Sequence, residues 1–177
     1  RTKIIIAIAL IIFAIVERLF PHLWNFTPLV AIALFAGTYL GRKYAIILPL
    51  AALFVSDFFI GYYDWKLMFA VYGSFALMGF LGLWIKKQKN TETIIAASLS
   101  ASILFYLVTN WAVWYLSPFY EKSVEGLMLS YTLALPFFRN MLVGDLFYTL
   151  ALFGAYELAV LFIHRYSLHK QAVIIEK

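Results

Sequence analysis

Apolar residues run along this chain in long blocks, broken by short polar or proline-bearing segments. A bilayer core takes about 20 apolar residues per helix. Six blocks approach that length, over 3–20, 27–40, 44–60, 65–85, 92–116 and 137–164. Pro21 closes the first, Pro28 takes a first-turn position in the second, and the third contains Pro49. The basic stretch Lys86-Lys87-Gln88-Lys89-Asn90 separates the fourth from the fifth, which Thr91 is expected to cap and Ser117-Pro118 to end. A short interfacial helix is expected over 123–135, with Pro136 opening the sixth span. The pattern predicts an all-α polytopic membrane protein, a single integral membrane domain of six transmembrane helices over 1–177.

Composition supports lipid as the solvent. Of 177 residues, 64% are hydrophobic and 13% charged, against about 45–50% and about 25% in soluble domains. The segment 1–16 has the basic start and apolar run of a signal peptide. Glu17-Arg18-Leu19-Phe20-Pro21 makes a poor cleavage site, so a retained first span is expected. Cysteine is absent, which removes disulfides and thiolate chemistry.

The net charge of +5 is better explained by topology than by nucleic acid. With both termini cytoplasmic, the cytoplasmic segments hold Arg1, Lys3, Arg42, Lys43, Lys86, Lys87, Lys89, Arg165, Lys170 and Lys177. The opposite side holds Arg18, Lys66 and Lys122, with Arg139 near a boundary. That asymmetry fits the positive-inside rule and predicts a multi-pass protein of the bacterial cytoplasmic membrane.

Small residues recur at helix-contact spacing. Ala33, Gly37 and Gly41 lie on the second span, Gly73, Ala76, Gly79 and Gly82 on the fourth, and Ala97, Ser98, Ala101 and Ser102 on the fifth. Close backbone approach is the usual means of helix packing in lipid, so these positions are expected to join helices within the monomer.

Polar groups within apolar spans are expensive and default to functional hypotheses. Here they gather toward the extracytoplasmic side. Asn25 and Asp57 end or follow early spans; Tyr62 and Trp65 flank the loop between the third and fourth. Tyr106, Asn110 and Trp114 are four apart and share a face of the fifth. Arg139 and Asn140 enter the sixth, and Asp145 lies about 13 Å down it, near the midplane. Together they are the candidate substrate-binding residues. Each also has a structural reading: Trp65, Trp111 and Trp114 as interfacial belt, Asp57 with Arg139 as an ion pair, and Asn110 bonded to a neighbouring helix.

Sequence signals for an enzyme are weak. The chain has no paired-histidine zinc motif, no glycine-rich phosphate loop and no aspartate-rich motif. His22, His164 and His169 do not cluster, so no metal and no cofactor is expected. The sequon Asn25-Phe26-Thr27 adjoins a span and precedes Pro28, which argues against glycosylation.

The run Asn25-Phe26-Thr27-Pro28, followed by Ala33-Leu34-Phe35-Ala36-Gly37, Leu48-Pro49-Leu50, Ser56-Asp57, Thr109-Asn110-Trp111-Ala112-Val113-Trp114, Leu135-Pro136-Phe137-Phe138-Arg139-Asn140 and Gly144-Asp145-Leu146, resembles an uncharacterised bacterial family labelled as transport proteins. That family is in turn similar to the substrate-binding (S) components of energy-coupling factor transporters. The resemblance implies capture of a vitamin-like solute in an outward-facing pocket, closed by the loops after the first and third spans. It also implies a transmembrane coupling protein with ATPase subunits as partner. The first span departs from that pattern, since Ala7, Ala9 and Ala14 are not four apart. The leading expectation is uptake of a small vitamin-like or aromatic solute. The alternative is a non-catalytic subunit or assembly factor of a larger membrane complex.

Overall fold

A computed structural model describes residues 2–20 and 23–175, with side chains as far as Tyr166. Pro21 and His22, Lys177, and the side chains of His169 and Lys170 lie outside the described residues. The described chain is all-helical: α1 (Thr2–Leu19), α2 (Leu29–Phe35, continued by a π-helical turn over Ala36–Leu40), α3 (Arg42–Ile60), α4 (Trp65–Lys87), α5 (Thr91–Leu116) and α6 (Val124–Ile175). Four of these, α3 to α6, are long and apolar enough to cross a membrane.

The shortest helix sits at the centre. Every residue of α2 is buried, as expected of a helix that is hydrophobic all round. It packs on α3, α4 and α6, while α1 lies on α3 and neighbours pair in order from α3 to α6. Ala7, Leu10 and Ala14 form the buried stripe of α1, so two of its small residues are used inside the bundle.

Glycines set the closest approach. A Cβ on Gly37 would lie 2.6 Å from the Gly79 carbonyl oxygen and 2.8 Å from the Gly82 Cα, and one on Gly79 would lie 2.5 Å from the Ala45 carbonyl oxygen. With lipid supplying no hydrophobic drive between helices, such contacts hold α2, α3 and α4 together. Thr38 adds a hydrogen bond to the Gly82 carbonyl at 3.0 Å while also donating to Leu34 O at 2.8 Å. The π turn ends where Gly41 N donates to Ala36 O at 2.8 Å, and Gly41 then adopts φ +108° to start α3. Gly73, by contrast, meets nothing within 4 Å.

Two local expectations give way. The interfacial helix over 123–135 and the span from Pro136 are one continuous helix, with Pro136 in its interior. An interior proline costs about 3 kcal/mol in an isolated helix. Here the stretch before it is fastened to α5 by Tyr106 Oη donating to Tyr131 O at 2.7 Å and Tyr131 Oη donating to Leu107 O at 2.8 Å. Tertiary bonds at Tyr131, in the turn before the proline, thus help hold the chain helical where local propensity would break it. The cap of α5 is Asn90 rather than Thr91, its side chain accepting from Thr93 N at 2.7 Å. Asp64 caps α4 in the same way, accepting from Lys66 N and Leu67 N.

Candidate solute cavity

A cavity of about 490 Å³ opens at one end of the bundle, under the α1–α2 and α3–α4 loops. Arg18 enters from the end of α1, Asn25 and Thr27 from the first loop, and Tyr63 from the second. Trp24, Phe75 and Phe105 supply aromatic wall. A second hollow of about 110 Å³ shares Asn25, Phe105 and Met141 with the first and reaches Tyr106, Thr109 and Asn110 on α5.

The first loop is held by an aromatic wedge. Phe26 packs edge-on to Tyr148, ring centroids 5.4 Å apart, and its ring lies where a Cβ on Gly144 would be 2.9 Å away. Only a glycine on α6 leaves that notch. Phe26 N donates to Leu23 O at 3.0 Å, and Asn25 between them has φ +60°. Asparagine tolerates this left-handed conformation better than most residues. The wedge and the turn together set Asn25 at the junction of both hollows.

The floor is built on a buried carboxylate. Asp57 on α3 accepts from Arg18 Nη2 at 2.6 Å through Oδ1 and from the Tyr72 hydroxyl at 2.8 Å through Oδ2. Its side chain is 2% exposed and that of Arg18 is 16%. One carboxylate therefore joins α1, α3 and α4 beneath the cavity. In the second loop, partial burial pushes the Tyr63 phenol up to about 12, the nearby Asp57 charge adding and Arg18 opposing. At neutral pH that hydroxyl stays protonated and can donate.

The candidate residues divide among several settings. Asn25, Tyr106 and Asn110 line the hollows, and Asp57 stands behind the larger one. Asn110 donates to Tyr106 O on its own helix at 2.8 Å, rather than from its side chain to a neighbouring helix. Trp114 folds the loop after α5, its Nε1 donating to Glu121 O at 2.8 Å. Tyr62 and the 72%-exposed Trp65 face outward, Tyr62 against Phe54 and Trp65 beneath Lys66. Arg139 is exposed, Asn140 is half-buried, and neither lines a hollow. The expected Asp57–Arg139 pair is replaced by Asp57–Arg18, because α3 packs on α1.

Asp145 lies deeper, in a buried seam between α5 and α6. It accepts from Ser102 Oγ at 2.6 Å, and one turn further Thr149 Oγ1 donates to Ser98 Oγ at 3.4 Å. At the opposite end of the bundle Glu157 accepts from Tyr39 and, at 2.7 Å, from Lys89, joining α6 to the π turn and to the α4–α5 hinge. No group of three or more metal-ligating side chains occurs among the described residues.

Arg18 is the charged cavity residue that sequence reasoning misses. It entered only as a topological charge, although an arginine ending a long apolar run was a signal in itself. Phe75 and Phe105 carried no such mark, since nothing separates a cavity-lining phenylalanine from a lipid-facing one in sequence.

These features define an all-helical protein with several helices of membrane-spanning length and, at one end, a mostly apolar cavity with a few polar groups. The chain belongs to the family described as "Family of unknown function (DUF6580)", whose model matches residues 1–168. Neither a curated protein nor a solved structure matches it.

Proposed function

We propose that this protein captures a small vitamin-like or aromatic solute from outside the cell for uptake, using the cavity beneath its two loops. The observation that carries the reading is the lining itself: a few convergent polar groups, Arg18, Asn25, Thr27 and Tyr63, set among the rings of Trp24, Phe75 and Phe105. Small-molecule sites have this make-up and volumes of about 300–1,000 Å³. Aromatic walls suit a flat ligand.

In this reading all six helices cross the bacterial cytoplasmic membrane with both termini inside. The charge asymmetry supports that orientation: Arg42, Lys43, Lys86, Lys87 and Lys89 gather at one end, and the cavity opens at the other. The α2 helix, seven α-helical residues and five π-helical ones, is about 18 Å long. It is shorter than a bilayer core of about 30 Å, and burial of every residue but Tyr39 keeps it inside the bundle rather than against lipid. The loop-covered cavity supports a role like that of an S component, alone or docked to a coupling protein with ATPases. The buried Ala7 and Ala14 leave less of α1 for docking.

Equilibrium binding of a panel of flat solutes to purified protein tests the proposal. Phe75→Trp and Phe105→Trp should each fill the cavity and weaken binding at least about tenfold with little change in thermal stability. Binding that survives both substitutions would place the solute elsewhere. Stable co-purification of a fixed membrane partner, with no solute bound, would favour the subunit reading instead.

A further inference from the structure

The larger cavity is neutral along its described lining except at Arg18. Its partner Asp57 stands behind it, 2% exposed against 16%, so the pair presents its cationic member to a solute. Both oxygens of Asp57 are already engaged, one by Arg18 and one by the Tyr72 hydroxyl. A cationic solute entering the cavity therefore meets a guanidinium first and a committed carboxylate behind it. The arrangement selects against positive charge.

It is suited to negative charge. A guanidinium is planar and carries five N–H donors in a fixed fork. The contact with Asp57 is made through Nη2, and the fork as a whole can serve a second carboxylate on another edge. Asp57, itself braced by the Tyr72 hydroxyl, also holds the guanidinium in place, which lowers the entropy lost when a ligand docks. One cation matches one carboxylate, whereas a phosphate monoester carries about two charges near neutral pH. Beside Arg18, the amide of Asn25 and the hydroxyls of Thr27 and Tyr63 can bond a heteroatom, and the rings of Phe75 and Phe105, packed on each other with centroids 5.3 Å apart, give a planar body an aromatic wall.

We infer that the solute is an organic anion, a planar monocarboxylate, and that the Arg18 guanidinium is the group that recognises it. The inference rests on the cavity being the solute site, as proposed above. Arg18 acts there as a binding residue, and Asp57 positions it.

Two matched pairs of probes test this on the intact protein in lipid nanodiscs: benzoate against benzamide, and indole-3-carboxylate against indole-3-carboxamide. Each amide keeps the ring and removes the charge. Wild-type protein should bind each acid at least about tenfold more tightly than its amide, the low end of what a charge-assisted hydrogen bond contributes. Arg18→Lys keeps the charge and a partner for Asp57 but loses the fork, so it should narrow the preference severalfold while the protein stays folded. Equal affinity for acid and amide in wild-type protein would overturn the anion inference and leave the cavity standing as a solute site. An unchanged preference in Arg18→Lys would remove Arg18 from recognition. Failure of all four probes to bind wild-type protein would overturn the inference and the cavity reading together.

Discussion

Arg18 and Asp57, 39 positions apart on α1 and α3, meet at 2.6 Å with the carboxylate almost wholly buried and the guanidinium reaching the cavity. The two ends of this pair are unequal. Water in the cavity can solvate the arginine, whereas among the described residues the aspartate has Arg18 and Tyr72 to offset its desolvation.

That inequality predicts an asymmetric response. Arg18→Met strands a buried carboxylate and should cost about 3 kcal/mol, as for other broken buried pairs. Asp57→Asn frees a guanidinium that water can reach and should cost distinctly less. The double substitution Arg18→Met/Asp57→Leu removes both charges and should be milder than Arg18→Met alone. Thermal unfolding of the four proteins in one detergent checks the order, and equal losses for the two single variants would contradict it.

Glycine positions should separate sharply by neighbour. Gly37→Ala forces a methyl against the Gly79 carbonyl oxygen and Gly82 Cα, where the contacts are all backbone and cannot turn aside. It should cost about 1–3 kcal/mol. Gly73→Ala meets open space on the same helical bundle and should be neutral or stabilising by up to about 1 kcal/mol. Comparable melting temperatures for the two variants would mean that the α2–α4 approach is looser than the geometry here.

The contrast marks what sequence could carry. Run length against bilayer thickness made the helices legible, and small residues at Gly37, Gly79 and Gly82 correctly marked a packing seam. Gly41 and Gly73 have the same spacing and make no such contact, because a face is used only if a neighbour lies against it. The same limit explains the ion pair. Arg18 and Arg139 were both available to Asp57, and choosing between them needs the knowledge that α1 packs on α3. Pro136 was read by its local preference, which the bonds of Tyr106 and Tyr131 override. Asn25, Tyr106 and Asn110 reached the hollows because polar residues in apolar spans are visible in sequence; the aromatic walls are not.

Gly144 should act on the cavity from behind. A Cβ there would lie 2.9 Å from the Phe26 ring and 3.1 Å from the Phe26 Cα, so Gly144→Ala must displace the loop that carries Asn25. Solute affinity should fall about tenfold or more, although Gly144 does not line either hollow. Phe26→Leu, with a smaller side chain, should restore part of the affinity in the Gly144→Ala background. Titration of the single and double variants reads this, and an absence of rescue would separate the notch from the loop.

Asp145 and Ser102 form a buried pair without a cation, 2.6 Å apart in the α5–α6 seam. Ser102→Ala leaves the carboxyl group short of a partner and should cost about 1–3 kcal/mol. Asp145→Leu with Ser102→Ala replaces both by apolar groups and should recover most of that loss. If the double variant keeps its fold and its solute affinity but no longer accumulates solute in cells, the carboxylate serves transport rather than packing. Retention of all three would assign it to structure alone.

Orientation decides whether the cavity can serve uptake, and the absence of cysteine makes it measurable without background. Tyr62 lies exposed in the α3–α4 loop beside the cavity, and Lys87 lies exposed at the far end of α4. A cysteine at each position, one per protein, reports its side of the membrane. Tyr62→Cys should react with a membrane-impermeant maleimide in intact cells, and Lys87→Cys only after permeabilisation. The α4 helix runs 23 residues between Trp65 and Lys87, about 34 Å, enough to carry its ends to opposite faces of a bilayer core. The reverse labelling pattern would turn the cavity toward the cytoplasm, contradict the charge asymmetry, and end the case for capture from outside.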